Sequence, residues 1–137
     1  MNDWPLYLRV KLKNDPTVTE LLGAREDGIY AAGSLDGPPQ KKPFITIHTD
    51  DDGRGPFPGR GLSRLSVHVH DQPGTYSRIR LILHRVRTSL EGPCVGTGVV
   101  GGGTCRWLND SGDIADEGFN TIVRTGQYQL TGADGND

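Results

Sequence analysis

Cysteine is scarce in this sequence: Cys94 and Cys105 are the two among 137 residues. A secreted scaffold of this size stapled by disulfides carries more. Two reduced thiols in a reducing compartment are therefore expected, with a single bridge across the intervening glycines as the alternative. Long apolar runs are lacking too. No stretch reaches the roughly 18 residues that a membrane span needs. Met1-Asn2-Asp3-Trp4-Pro5 has no basic region followed by an apolar one, so it does not read as a signal peptide. The expectation is a soluble chain, intracellular at synthesis. There is no cationic surplus either: 15 Lys and Arg stand against 17 Asp and Glu, for a formal net charge of -2. That excludes the strongly basic footprint of proteins that neutralise many phosphates. Apolar residues make up 34% of the chain and mean hydropathy is negative, which predicts a small core. The length sits in the range of about 100 to 150 residues typical of one domain, so a single domain over 1–137 is expected.

What the chain does have is 20 glycines and 9 prolines, and these punctuate it. Asn2 or Asp3 can cap a first helix that takes Pro5 early, runs to about Lys13 and shows Leu6, Val10 and Trp4 as its apolar stripe. Asp15 then caps a second short helix with Pro16 in its first turn, Val18, Leu21 and Leu22 as its apolar face and Gly23 as its stop. A short strand is expected over 29–32, followed by a Gly- and Pro-rich linker over 33–42. The β-branched run over 44–49 predicts a strand, and the segment 50–61 reads as a long loop, a length that is usually functional. Over 62–70, Leu65, Val67 and Val69 alternate with Arg64, Ser66, His68 and His70, which is the pattern of a half-buried strand with one polar face.

The strongest signal is an amphipathic helix over 75–90. Ile79, Ile82, Leu83, Val86 and Leu90 recur at helical spacing, four arginines occupy the other faces, and Gly92-Pro93 ends it. Beyond it, two strands over 94–100 and 104–108 are expected around a tip at 101–103. An acidic loop over 109–118 follows, then a last strand over 119–130 with Ile122, Gly126, Tyr128 and Leu130 on one face. The end, 131–137, reads as a polar tail.

Several motifs invite a chemical reading. Gly96-Thr97-Gly98-Val99-Val100-Gly101 matches the dinucleotide pattern GxGxxG, which works only between a strand and a following helix whose amides meet the pyrophosphate. Here a helix precedes it and more glycines follow, so a hairpin is the expectation. His68 and His70 share a strand face and, with His48 and Asp50, offer metal-ligand chemistry. The plainer reading puts these imidazoles on a solvated or inter-subunit face, titrating near about pH 6 to 7. Asp50, Asp51 and Asp52 lack the alternation and terminal glutamate of a calcium loop. Asp113, Asp116 and Glu117 share one loop without a fixed geometry, and no serine sits in a nucleophile elbow. No catalytic residue, metal or cofactor is expected. The arginines at 78, 80, 85 and 87 stack along one helix and suit acidic partners or simple solvation. Candidate inter-subunit or partner contacts are Asp50, Asp51, Asp52, Arg54, Arg60, Arg64, His68, His70, Arg78 and Arg85.

In order, "LKNDPTVTELLG", "GIYAAGSLDGPPQKKPFITIH", "SRLSVHVHDQPGTYSRIRLILHRVRTSLEG" and "NTIVRTGQYQLTG" resemble the tail-terminator, or tail-completion, family of phages with long non-contractile tails, the lambda-type group. The resemblance spans about 6–130 and lies in element order and patterning. It implies an α+β fold with a single mixed or antiparallel sheet, an amphipathic helix and short N-terminal helices packed on one face. It also implies a virion protein at the head–tail junction, assembled in the host cytoplasm as a homo-oligomeric, hexameric ring. Such a ring meets the tail tube protein on one side and the head–tail connector, or stopper, on the other. It ends tube polymerisation and passes DNA through its pore without specific binding. The alternatives are a neck or head-closure ring protein, a small metal-dependent enzyme built on the histidines, and a nucleic-acid module built on the arginine helix.

Overall fold

The fold is that of a computed structural model, which describes residues 4–23, 28–31, 42–51, 60–74, 76–96, 99–116 and 121–133. The chain opens with α1 (Trp4–Lys13) and α2 (Pro16–Leu21). The Asp15 side chain accepts from the amides of Thr17 and Val18, which satisfies donors at the start of α2 that have no partner within the helix. Gly23, at φ 80°, ends the turn as expected. The proposed caps of α1 lie outside the described residues. Its stripe is rotated from the expected one: Trp4, Tyr7, Leu8 and Leu12 are buried, whereas Leu6 is 42% exposed. The spacing 4, 7, 8, 12 is also helical, and it turns the Tyr7 hydroxyl to a hydrogen bond with the Cys94 thiol.

Among the described residues seven strands follow in one sheet: β1 (Ile29–Ala31), β2 (Phe44–Asp51), β3 (Arg60–Asp71), β4 (Gly92–Gly96), β5 (Val99–Asp110), β6 (Ile114–Asp116) and β7 (Thr121–Ala133). The order is β1-β2-β3-β7-β5-β4, with β6 also paired to β7. β1 runs parallel to β2 and every other pairing is antiparallel. Between β3 and β4 lies α3 (Tyr76–Leu90). This is the mixed sheet with helices on one face that the sequence led us to expect.

Four boundaries are corrected. The 50–61 segment is not loop throughout: Asp50 pairs with Arg64, Asp51 with Ser63, and Arg60 with Ala133, so strands reach in from both ends. The triple glycine at 101–103 is not a hairpin tip but part of β5, and the chain reverses between Gly96 and Val99. The acidic segment after β5 contains β6. The supposed tail is paired through Ala133. The glycine run has a packing cause at Gly103, where an added Cβ would lie 2.7 Å from the Thr131 carbonyl oxygen and 2.8 Å from the Trp4 ring. A strand there must be bare for α1 to seat.

One core lies between the helices and the inner sheet face. It joins Leu8, Leu12, Val18 and Leu22 to Ile79, Ile82, Val86 and Leu90, and these to Ile45, Ile47, Leu65, Val67, Val69, Tyr128 and Leu130. The cysteines belong to it as well, both buried and free. Among the described residues no helix is long and apolar enough to cross a membrane. Ile82 is fully buried at the middle of α3. Ile82→Ala is expected to lower stability by about 2 to 5 kcal/mol, read as the midpoint shift in a urea melt. A shift near zero would mean that α3 presents another face.

Candidate functional site

Alternation along the central strands gives the sheet a second, outer face. Direct cross-strand partners share a face, so four rows can be read off the ladder: Phe44–His70–Val123–Ile114, Thr46–His68–Thr125, His48–Ser66–Gln127–Asn109, and Arg64–Gln129–Arg106. The expected polar face of β3 is thus real, and the ladder extends it across β2, β7, β5 and β6.

The two ends of this face differ in character. At the first row the ring of His70 stacks on Phe44 at 4.5 Å, nearly parallel, and Tyr30 meets Phe44 edge-on. His70 Nε2 lies 3.2 Å from the Thr46 hydroxyl and Nδ1 lies 3.1 Å from that of Thr121. His70 is 4% exposed, so the solvated position expected for it is corrected: both ring nitrogens are engaged by hydroxyls in a buried patch that stands apart from the helix-packed core. Burial holds its imidazole down at about 4, against an opposing pull from Asp116. His68 is half-buried, 2.8 Å from the Thr125 hydroxyl, and is lowered by burial and by His48. The titration window near pH 6 to 7 is therefore displaced downward for both. Among the described residues no three His, Cys, Asp or Glu side chains converge on one point.

At the other end Arg64 and Arg106 are exposed and flank Gln129, and Asp50 is the cross-strand partner of Arg64 on β2. Beside them His48, Ser66, Leu108 and Gln127 line a shallow depression of about 130 Å³. An irregularity in β5 between Trp107 and Asn109 inserts Leu108 there.

The helix arginines are spent largely within the chain. Arg78 sends a two-pronged fork to Asp71, with Nε and Nη2 each 2.6 Å from a carboxylate oxygen. The Asp71 side chain is wholly buried while that of Arg78 is 42% exposed, and the bond to Asp71 raises the guanidinium further. Arg85 Nε lies 3.4 Å from Asp15. Arg87 pairs with Glu91 at 3.5 Å and stacks 3.8 Å over Trp107. Arg80 is exposed. Of the other candidate contacts, Asp50, Asp51 and Arg60 occupy paired backbone positions, while Asp52 and Arg54 lie outside the described residues. The sequence reading missed Arg106, Leu108, Gln127 and Gln129. Alternation in the last strand could have put Gln127 and Gln129 together, but the β5 irregularity hid the other two.

Chemically, the described residues of this face offer guanidinium, imidazole, hydroxyl and amide groups. The thiols of Cys94 and Cys105 are pushed up by burial, Cys105 to about 12, which keeps them protonated.

Two predictions follow from these bonds. Below the ordinary value of 6.5 the unfolded chain takes up a proton that folded His70 refuses, so its contribution is complete at neutral pH and is lost as pH falls toward about 4. The loss amounts to about 3 kcal/mol, and His70→Asn should flatten the slope of melting temperature against pH over that window. Separately, Arg78→Ala strands the Asp71 carboxylate. It should cost about 2 to 4 kcal/mol in urea, less than a fully buried pair because the guanidinium is half exposed.

No protein-family model matches the sequence, and no curated protein matches it either. Among solved structures, a chain in the virion of a native gene transfer agent particle is similar at a TM-score of 0.67 and 13% identity, covering 93% of this chain and 92% of that one. The fold is therefore shared across nearly the whole length of both.

Proposed function

We propose that this chain is a non-enzymatic structural protein of a phage-like virion, a ring subunit of the tail-terminator kind at the head–tail junction. The observation that carries the reading is the likeness, over almost the full length of both chains, to a chain from a gene transfer agent virion. The open sheet face supports it: a broad surface of arginine, glutamine and histidine suits protein contact. The net charge of -2 agrees with a pore that lets DNA slide past without gripping it. In this reading six copies close a ring that caps the tail tube, ends its growth and receives the head connector. Contacts to neighbours come from Arg64 and His68 on the open face and from Asp50, Asp51, Asp52, Arg54 and Arg60 where β2 and β3 meet the segment between them. His70, Arg78 and Arg85 act through the chain's own packing, leaving part of each arginine for a partner.

A neck or head-closure ring is the alternative, because it asks the same of a small ring-former. Micrographs of particles made without this protein separate the two. Overlong tails unattached to heads are expected for a terminator, whereas DNA-leaking heads beside tails of normal length would make it a neck protein. Normal virions would remove the junction role altogether.

A further inference from the structure

On the helical side of the molecule, away from the sheet face, an open cleft of about 370 Å³ lies where α1 turns into α2 beside the last turns of α3. Lys11, Asn14 and Asp15 line it from the α1–α2 corner, and Arg85, Thr88 and Ser89 from α3. Two cations therefore share the cleft with one carboxylate. That carboxylate is already engaged: Asp15 Oδ1 accepts from the amides of Thr17 and Val18, and Oδ2 lies 3.4 Å from Arg85 Nε.

Donors are left over. Arg85 Nε is buried and has no hydrogen-bond partner, so Asp15 attracts it by charge without accepting its proton. An unsatisfied buried donor is unfavourable, and an added acceptor beside the guanidinium relieves it. Lys11 is exposed and, among the described residues, has no ion-pair or hydrogen-bond partner. The side chains of Asn14 and Ser89 are likewise without a partner among the described residues, whereas the Thr88 hydroxyl is given to the His84 carbonyl. The cleft thus combines one positive charge in excess with an amide and a hydroxyl that are not used within the chain.

We infer that this cleft is a carboxylate-binding site whose occupant is an aspartate or glutamate side chain of another polypeptide. A carboxylate carries the single negative charge that brings the cleft to neutrality, and it accepts charge-assisted hydrogen bonds from Lys11 and Arg85 together. A phosphate dianion matches less well, because its second charge would stand unbalanced beside Asp15. A polypeptide suits the cleft better than a free small acid does. Asn14 and Ser89 offer a donor and an acceptor to the peptide groups flanking the acidic side chain, and a free acid in so open a cleft would rely on screened charge alone. The site does not depend on the ring reading above.

The test is fluorescence anisotropy of an end-blocked peptide, Gly-Ser-Glu-Ser-Gly carrying a neutral dye, titrated with the purified full chain at about 50 mM salt, where charges are weakly screened. The same peptide with glutamine in place of glutamate is expected to bind at least about tenfold more weakly. Lys11→Gln should weaken the glutamate peptide by about fivefold and Lys11→Glu by more, whereas Lys11→Arg, which keeps the charge, should stay within about twofold of wild type. Arg80→Gln, an exposed arginine of α3 outside the cleft, should bind as wild type does. Each variant should keep a cooperative melt, since both residues are exposed. Unlabelled peptide should displace the probe at about one-fifth the concentration of acetate, by the worth of one added hydrogen bond. No binding, equal binding of the glutamine peptide, or a Lys11→Gln protein that binds as wild type overturns the inference. Acetate competing as well as the peptide would overturn the polypeptide as occupant, and inorganic phosphate competing better than the peptide would overturn the carboxylate. None of these outcomes bears on the terminator reading, which the micrographs decide separately.

Discussion

The antiparallel ladder between β3 and β7 is the constraint from which the rest of the molecule follows. It runs from Arg60 opposite Ala133 to Asp71 opposite Ile122, in unbroken register. Side chains on a strand alternate, so this one register decides every facing at once, and a slip of one residue would send Leu65, Val67 and Val69 to water and the histidines into the core. Tyr128 opposite Leu65, and bare Gly126 opposite Val67, give α3 its seat. The same ladder sets Gln127 and Gln129 beside Ser66 and Arg64 on the far side. Core and outer face are two consequences of one set of hydrogen bonds.

Two polar devices hold that arrangement at its ends. Where β3 turns into α3, Asp71 is wholly buried and its carboxylate is met by the Arg78 fork and by the Gln72 amide, so strand and helix are locked at a fixed angle. Where β2, β3 and β7 run side by side, His70 bridges the hydroxyls of Thr46 and Thr121 across the three strands. Both groups look like surface chemistry in the sequence, and both are used for internal fastening. Fully satisfied buried polar groups specify one packing more sharply than apolar contacts do.

This division of labour explains the distribution of chemistry. Both cysteines and His70 are buried, and His68 is half-buried and bonded to Thr125, whereas His48 and His84 are exposed. The outer face leaves Arg64, Arg106 and His48 exposed beside the hollow at Leu108. The likeness to a gene transfer agent virion chain is a likeness of this same body, helices on one side of a mixed sheet.

Much of the fold was legible in the residues alone. The helix over 75–90, the Asp15 cap, the alternation around Val67 and the shared face of Ile122, Gly126, Tyr128 and Leu130 are local patterns, and local pattern is what backbone periodicity writes into a sequence. The outer face was half legible: Arg64 and His68 were visible on β3, but Arg106, Leu108 and Gln129 join them only through strand pairings that bring distant segments together. The stripe on α1 and the place of the triple glycine were misread because two helical registers were both plausible, and because glycine serves close packing as readily as turning. Tertiary structure alone decided that His70 is buried while His48 is exposed, and that Arg78 faces a carboxylate inside its own chain. The cause is general: a sequence fixes which side of its own element a residue occupies, whereas burial and pairing depend on what other elements bring to that side.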